Sequence, residues 1–371
     1  MRVAVIAPPW LPVPPDGYGG TELVLDTLCR GLAGDGHDVL LYATGDSVCA
    51  HERVELRWTY DAHLGVASIN PSDELRHVMD AYEAAQVWGA DVVHDHTLTG
   101  PVWSQVHSSL PVVTTNHGPF GEPLHSIYRR ITSTVPVIAI SHHQASTAAG
   151  IPIHRVIHHG LDTAALEVGR GDGGYALFLG RMSEAKGVHR AVDVARAAGI
   201  PLKIAAKMRE PVEHEYFRAR VEPLLGGDVE YLGEIGPTDK YALLRSAACL
   251  LNPIAWPEPF GMVMIEALAC GTPVVGTRCG AAPEIVDDGL TGFLRAGPQG
   301  LVDAIDALGS IDRAACRAAV DARFSMARTA ADHVDAYTDL LERSVVQDVE
   351  IADFMREEEG KGDDALLATA G

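Results

Sequence analysis

The sequence predicts an α/β protein built as two Rossmann-like, doubly wound domains that face each other across a cleft. Three observations carry this reading. Short apolar runs alternate with amphipathic stretches along most of the 371 residues, the pattern of repeated βαβ units around a parallel sheet. The alternation occurs in two series of similar size, separated by a strand-free stretch that ends in a Gly/Asp cluster. The length suits two domains and leaves each enough chain to bury a core.

Taken in order, RVAVIA (2–7), DVLLYAT (38–44), DVVHDH (91–96), PVVTTNH (111–117), VPVIAIS (135–141) and HRVIHHG (154–160) read as buried strands. Thr21–Ala33, Asp73–Trp88 and His142–Ala149 read as the helices between them. LDTAALEVGRGDGGY (161–175) is the interdomain linker, so the first domain is expected over 1–165 and the second over 174–324. The second series runs through YALFLGR (175–181), LKIAAK (202–207), VEYLG (229–233), ACLLNP (248–253) and TPVVGT (272–277). Ligands of such folds bind in the crevice at the carboxyl ends of the strands. Residues 345–371 carry eight acidic and two basic residues with little apolar periodicity, which predicts a flexible or frayed tail.

Composition narrows the function. Apolar residues make up 47% and charged residues 21%, an ordinary soluble balance. A net charge of −21 repels polyphosphate backbones and anionic lipid, so nucleic acid is not an expected partner and any anionic ligand needs a local nest of donors. No stretch approaches the roughly eighteen uninterrupted apolar residues of a spanning helix, and MRVAVIAPPW reads as a strand rather than a leader. The expectation is a cytoplasmic protein without stable membrane insertion. Cysteines 29, 49, 249, 270, 279 and 316 form no Cys-x-x-Cys pair, as packed, reduced thiols would.

Three segments carry chemistry. Asp16-Gly17-Tyr18-Gly19-Gly20-Thr21-Glu22 joins the first strand to the first helix, where glycines let backbone N–H groups approach an anion at a helix N-terminus. The dinucleotide fingerprint would need glycine where Glu22 stands, and no Gly-Lys-Ser/Thr P-loop follows. A plain turn is the alternative. Gly180-Arg181-Met182-Ser183-Glu184-Ala185-Lys186-Gly187 closes the first strand of the second series, and its two cations either converge on a diphosphate or stand as surface charges.

The third segment is Trp256-Pro257-Glu258-Pro259-Phe260-Gly261-Met262-Val263-Met264-Ile265-Glu266, followed by ALACGTPVV. Here Pro259 is expected near the first helical turn, Glu258 just before the helix and Glu266 about two turns inside it. Free N–H groups at Gly261, Met262 and Val263 would make an anion cradle. Eight helical residues would part the two carboxylates by roughly 12 Å. Glycoside hydrolysis needs its carboxyl pair about 5 to 9.5 Å apart, so this pair is better suited to gripping two polyols at the ends of one elongated ligand.

At these residues the chain resembles the retaining glycosyltransferases of the GT-B fold, specifically the family-4 group. GGTE near the start, NHGPF at 116–120, GR-x4-KG at 180–187 and Glu-Pro-Phe-Gly-x4-Glu carry the resemblance, which extends to about residue 343. It implies that Glu258 holds hydroxyls of the donor hexose, that Glu266 accepts from the nucleotide ribose, and that Arg181 and Lys186 neutralise the diphosphate. Gly19 and Gly20 would lie over the same phosphates, Phe260, Gly261, Met262 and Val263 would line the donor site, and His117 would contact the sugar near its reacting carbon. A final helix over Met326–Leu341, within a segment at about 325–343, would cross back to the first domain, and Glu284 would cap a helix or brace the donor loops.

The activity implied is transfer of a hexose from a UDP- or GDP-type nucleotide sugar to an acceptor hydroxyl with retention. The acceptor would be a small molecule, a saccharide or a lipid-linked acceptor. No cofactor and no metal is expected, since Arg181 and Lys186 can take up the charge of the leaving diphosphate. A homodimer is compatible with the sequence. A sugar-nucleotide epimerase or phosphorylase, and a non-catalytic nucleotide-sugar sensor, are the other classes this architecture serves.

Lesser features remain open. Histidine pairs at 94/96, 142/143 and 158/159 could bind zinc, but no third ligand is spaced convincingly for it, and the plainer reading is His94 or His96 as a crevice polar group. Trp10, Pro12, Tyr18 and Trp103 would form either an acceptor platform or core packing. Loops 8–20, 59–72 and 117–128 are the expected readers of the acceptor.

Overall fold

The computed structural model describes residues 1–65 and 70–343. The acidic tail at 345–371 and residues 66–69 of the loop at 59–72 lie outside the described residues. Two parallel sheets form. The first has the order β3-β2-β1-β4-β5-β6-β7, from β1 (Arg2–Ile6), β2 (Asp38–Ala43), β3 (Val54–Trp58), β4 (Val92–Asp95), β5 (Val112–Thr115), β6 (Val137–Ala139) and β7 (Ile153–Val156). The second has the order β10-β9-β8-β11-β12-β13, from β8 (Ala176–Arg181), β9 (Leu202–Lys207), β10 (Val229–Gly233), β11 (Cys249–Asn252), β12 (Val274–Thr277) and β13 (Gly292–Arg295).

Central strands such as β1, β2, β4 and β8 are covered on both faces, which is why they read as unbroken apolar runs. Two strands went unpredicted. Val54–Trp58 is a half-buried edge that alternates Val54, Leu56 and Trp58 with Glu55 and Arg57, and β13 is a four-residue edge strand. The stretch predicted at 154–160 is a strand only as far as Val156; beyond it His159 lines the cleft and the His158 ring turns to Glu284.

The first sheet is covered on one face by the Gly20–Gly34 helix and a helix over 326–343, whose Ala330, Ala336, Tyr337 and Leu340 join Val3, Val5, Leu28 and Leu32 in one core. The other face packs Tyr42, Val78, Tyr82, Phe120 and Tyr128. A third core fills the second sheet around Phe178, Ile204, Leu251 and Ile265. All six cysteines are free thiols, four of them buried. Among the described residues, no helix is long and apolar enough to cross a membrane.

Strand order reverses between β1 and β4 in the first sheet and between β8 and β11 in the second. A crevice opens beyond the carboxyl ends of the strands at each reversal, because the flanking crossovers run to opposite sides. The loops leaving β1, β8 and β11 carry the three chemistry-bearing segments, and the two crevices share one cleft.

Candidate active site

The cleft holds about 820 Å³ and is lined from both sheets. Gly19, Gly20 and His117 line it from the first, and Arg181, Lys186, Glu258, Phe260, Gly261, Met262, Val263 and Glu266 from the second. Every site residue predicted from the sequence is therefore in one cavity.

The second half supplies the charges. Glu258 is fixed by close backbone approach: Ala281 N–H donates to its carbonyl at 3.0 Å, and a Cβ on Gly280, at φ 59°, would lie 2.4 Å from Glu258 backbone atoms. Its Oε1 pairs with Lys186 Nζ. Lys186 is only 8% exposed. Burial alone would lower its pKa, but the Glu258 carboxylate outweighs that and holds it above the usual lysine value. Glu258 Oε2 and Trp256 Nε1, in the same loop, are buried with no hydrogen-bond partner among the described residues. An acceptor and a donor thus stand unsatisfied in the loop that closes over Lys186.

The helix after this loop is Met262–Ala269, with Gly261 at its N-cap in a left-handed conformation, φ 115°. It starts later than predicted because residues 258–260 are irregular, so Glu266 is its fifth residue, about one turn in rather than two. The N–H groups of Met262 and Val263 are free of intrahelical partners, as a helix start requires. Glu266 is 3% exposed and accepts from Lys240 Nζ at 2.5 Å. Its charge adds to burial in raising the Tyr241 pKa.

Arg181 is half exposed, with Nε 3.5 Å from Glu213 Oε1. Its register partner on β9 is Lys207, a cation that the sequence reading passed over. Lys207 is 6% exposed, lines the cleft and lies 3.8 Å from both Glu210 and Glu213. The signal was present: two adjacent strands both end in a cation at their carboxyl ends. Lys240 and His159 were also missed.

From the first half, the glycine loop reaches across. Tyr18 N–H donates to Glu234 Oε1 at 3.0 Å, and Lys207 Nζ lies 6.0 Å from the Tyr18 ring. Gly19 is extended at φ −170°, so the demand there is space: a Cβ would come within 2.8 Å of Pro15 and 2.9 Å of Glu22 Oε2. Tyr18 alone of the suggested aromatic platform lines the cleft; Trp103 stacks on His107 with ring centroids 3.9 Å apart. Of the acceptor loops, 8–20 contributes residues from Pro14 onward and 117–128 contributes His117 and Gly118, whereas no described residue of 59–72 lines the cavity.

His117 is held by its neighbours. Gln144 Nε2 donates to the carbonyls of Asn116 and Gly118 at 2.7 and 2.6 Å, bracketing the histidine. Its ring nitrogens lie 2.9 Å from His96 Nδ1 and 3.4 Å from His159 Nε2. Burial pushes the His117 pKa down to about 4, so the ring is neutral near pH 7.

Among the described residues, one cluster fits a metal by distance alone. His142, His158 and Glu284 bring three ligand atoms within 4.8 Å of one another. Both Glu284 oxygens are already used, however, by His142 N–H at 2.8 Å, His143 N–H at 2.7 Å and the His158 ring at 2.7 Å. Burial would raise the Glu284 pKa, and these three donors together hold it below its usual value. The cluster is a cap on the His142–Thr147 helix that joins the two halves, beside the bond of Ser141 Oγ to the Pro259 carbonyl at 2.6 Å.

Two family models match the chain: Glycosyltransferase Family 4 over residues 18–165 and Glycosyl transferases group 1 over residues 173–310, together more than half of it. A glycosyltransferase of Methanocaldococcus jannaschii is 30% identical over 141 residues, 38% of this chain and 38% of that protein, so the match spans well under two thirds of this curated relative. AviGT4, a glycosyltransferase involved in avilamycin A biosynthesis, has a crystal structure that superposes with TM-score 0.70 at 25% identity, covering 92% of this chain and 98% of that one. Anabaena HepE in complex with UDP-glucose superposes with TM-score 0.71 at 18% identity, covering 91% and 100%.

Proposed function

Because the chain belongs to the group 1 glycosyltransferases and has their GT-B fold, we propose that it transfers a hexose from a UDP- or GDP-type nucleotide sugar to an acceptor hydroxyl. In this reading the anomeric configuration is retained and no divalent metal takes part.

The observation that carries the proposal is the half-satisfied Glu258. One carboxylate oxygen is committed to Lys186 and the other is a buried acceptor that only a hydroxyl or N–H donor can satisfy. A hexose hydroxyl there would sit against the Lys186 ammonium, with its diphosphate toward Arg181, Lys207 and the N–H groups of Met262 and Val263. Glu266, about one turn further on, would accept from the ribose.

In the reaction, the bond from the anomeric carbon to the diphosphate oxygen breaks and a bond to the acceptor oxygen forms on the same face. The acceptor proton passes to the departing diphosphate. The cations stabilise charge that grows on that leaving group, which lowers the barrier without movement of the protein. The acceptor, entering from the first half beside Tyr18 and His117, is a small molecule, a saccharide or a lipid-linked acceptor.

The test is a panel of nucleotide sugars, beginning with UDP-glucose because HepE holds it in the same fold. Release of free nucleotide, an axial product from an axial donor by proton NMR, and an unchanged rate in EDTA are expected. Epimerised donor without nucleotide release, or binding without turnover, would overturn the reading.

A further inference from the structure

Three imidazoles from three separate loops of the first half form one row. His96 follows β4, His117 follows β5 and His159 follows β7, far apart in sequence but joined at 2.9 Å and 3.4 Å through ring nitrogens. Burial depresses the pKa of all three, so each ring is neutral, with one N–H and one lone pair. Each nitrogen pair then shares one proton, and the row can point only one of two ways.

The inner end decides which. His96 Nε2 is buried without a hydrogen-bond partner among the described residues. The His94 ring lies 3.9 Å from the His96 ring, tilted by 41°, and spends its own nitrogens on Tyr337 Oη and Thr115 Oγ1. If the protons ran inward, His96 Nε2 would carry an orphaned N–H; if they run outward, it is only a lone pair. A buried donor without a partner is the rarer and costlier orphan, so the outward direction prevails.

We propose that His96 is the positioning residue for His117: it donates its Nδ1–H to His117 Nε2, which fixes His117 as the Nδ1–H tautomer and directs the row toward the cleft. His117 in turn donates to His159 Nε2, and His159 is left with Nδ1–H. His159 lines the cleft, and its Nδ1 makes no hydrogen bond to another described residue. The row therefore ends in an uncharged donor, matched to a sugar hydroxyl or ring oxygen rather than to a phosphate. Its kinetic consequence rests on the glycosyl transfer proposed above; the tautomer does not.

The experiment is long-range proton–nitrogen NMR on the full chain labelled with 15N-histidine, the His96 and His117 signals being assigned by their loss in His96→Asn and His117→Asn. His117 is expected to be protonated on Nδ1 and bare on Nε2. His96→Phe removes the donor, so His117 should lose that single tautomer, and kcat should fall about tenfold with donor KM within about twofold. His96→Asn keeps an amide N–H in the place of Nδ1–H and should restore both. His117 protonated on Nε2 in the parent chain, or an unchanged tautomer in His96→Phe, would overturn the proposal. If His96→Phe fails to fold, the parent spectrum and His96→Asn still decide. A parent chain that transfers no sugar but shows the expected tautomer would unseat the function and leave the row.

Discussion

Lowering the pH from 8 to 5 should destabilise this fold by several kcal/mol, and the buried histidines set the amount. Burial pushes His77, His117 and His333 down to about 4 from an ordinary 6.5. The unfolded chain takes up these protons below pH 6.5 while the folded chain refuses them until about 4, so stability is full above 6.5 and drains away between the two. At pH 5 each ring contributes a loss of about 2 kcal/mol, about 6 for the three. Asp95 works the other way: burial pushes it up to about 6 from 3.8, so the folded state binds its proton first and regains about 1.4 kcal/mol at pH 5. These four groups together account for a net loss of about 4 to 5 kcal/mol, a large share of the roughly 5 to 15 kcal/mol that holds a typical domain. His94, His96 and His159, which burial also depresses, add to it in the same direction. Urea unfolding at pH 8, 7, 6 and 5, followed by the fluorescence of the five tryptophans, measures it directly. His333→Leu should remove about 2 kcal/mol of the pH dependence. A urea midpoint that stays level from pH 8 to 5 would refute the assignment of these rings as buried and neutral.

Other outcomes follow from the cleft and its supports. Lys186→Met or Glu258→Gln should each abolish nucleotide release, and Lys186→Met should destabilise the fold by about 3 kcal/mol because it strands a carboxylate; the double variant, measured by urea unfolding, should recover much of that loss. Lys207→Met should raise the donor KM about tenfold, measured by initial rates of nucleotide release over a range of donor concentrations. Gly160→Val should destabilise by about 1 to 3 kcal/mol in the same assay, because a Cβ there would lie 2.1 Å from Thr329 Oγ1 and 2.8 Å from the Ser325 carbonyl.

The sheets were legible in the sequence wherever both faces are buried, since β1, β2, β4 and β8 then write themselves as continuous apolar runs. Val54–Trp58 was missed because an edge strand with one wet face alternates, and β13 because four residues give too short a run. The charged side of the cleft was legible because local spacing fixes it: Arg181 and Lys186 flank one turn, and Glu258 and Gly261 lead into one helix. The role read for Glu284, capping a helix, is the one its bonds to His142 and His143 describe. What sequence distance hides is assembly across strands. Nothing in the spacing of 96, 117 and 159 says that three rings share protons, and Lys207 meets Arg181 only through the pairing of β8 with β9. The depth of Glu266 was misjudged because the irregular backbone at 258–260 has no periodic signature.

The bonds between the two halves are unequally shared. Glu284, just after β12, takes three N–H donors at once, whereas Glu234, just after β10, takes a single exposed one from Tyr18. Four strand intervals separate β10 from β12, about 19 Å across the sheet. The fastening at Tyr18 is therefore the weaker of the two, since among the described residues one exposed hydrogen bond is all that would have to be broken there. The Ser141 to Pro259 bond lies on the Glu284 side and adds to that inequality, so the Tyr18 edge of the cleft costs the least to part.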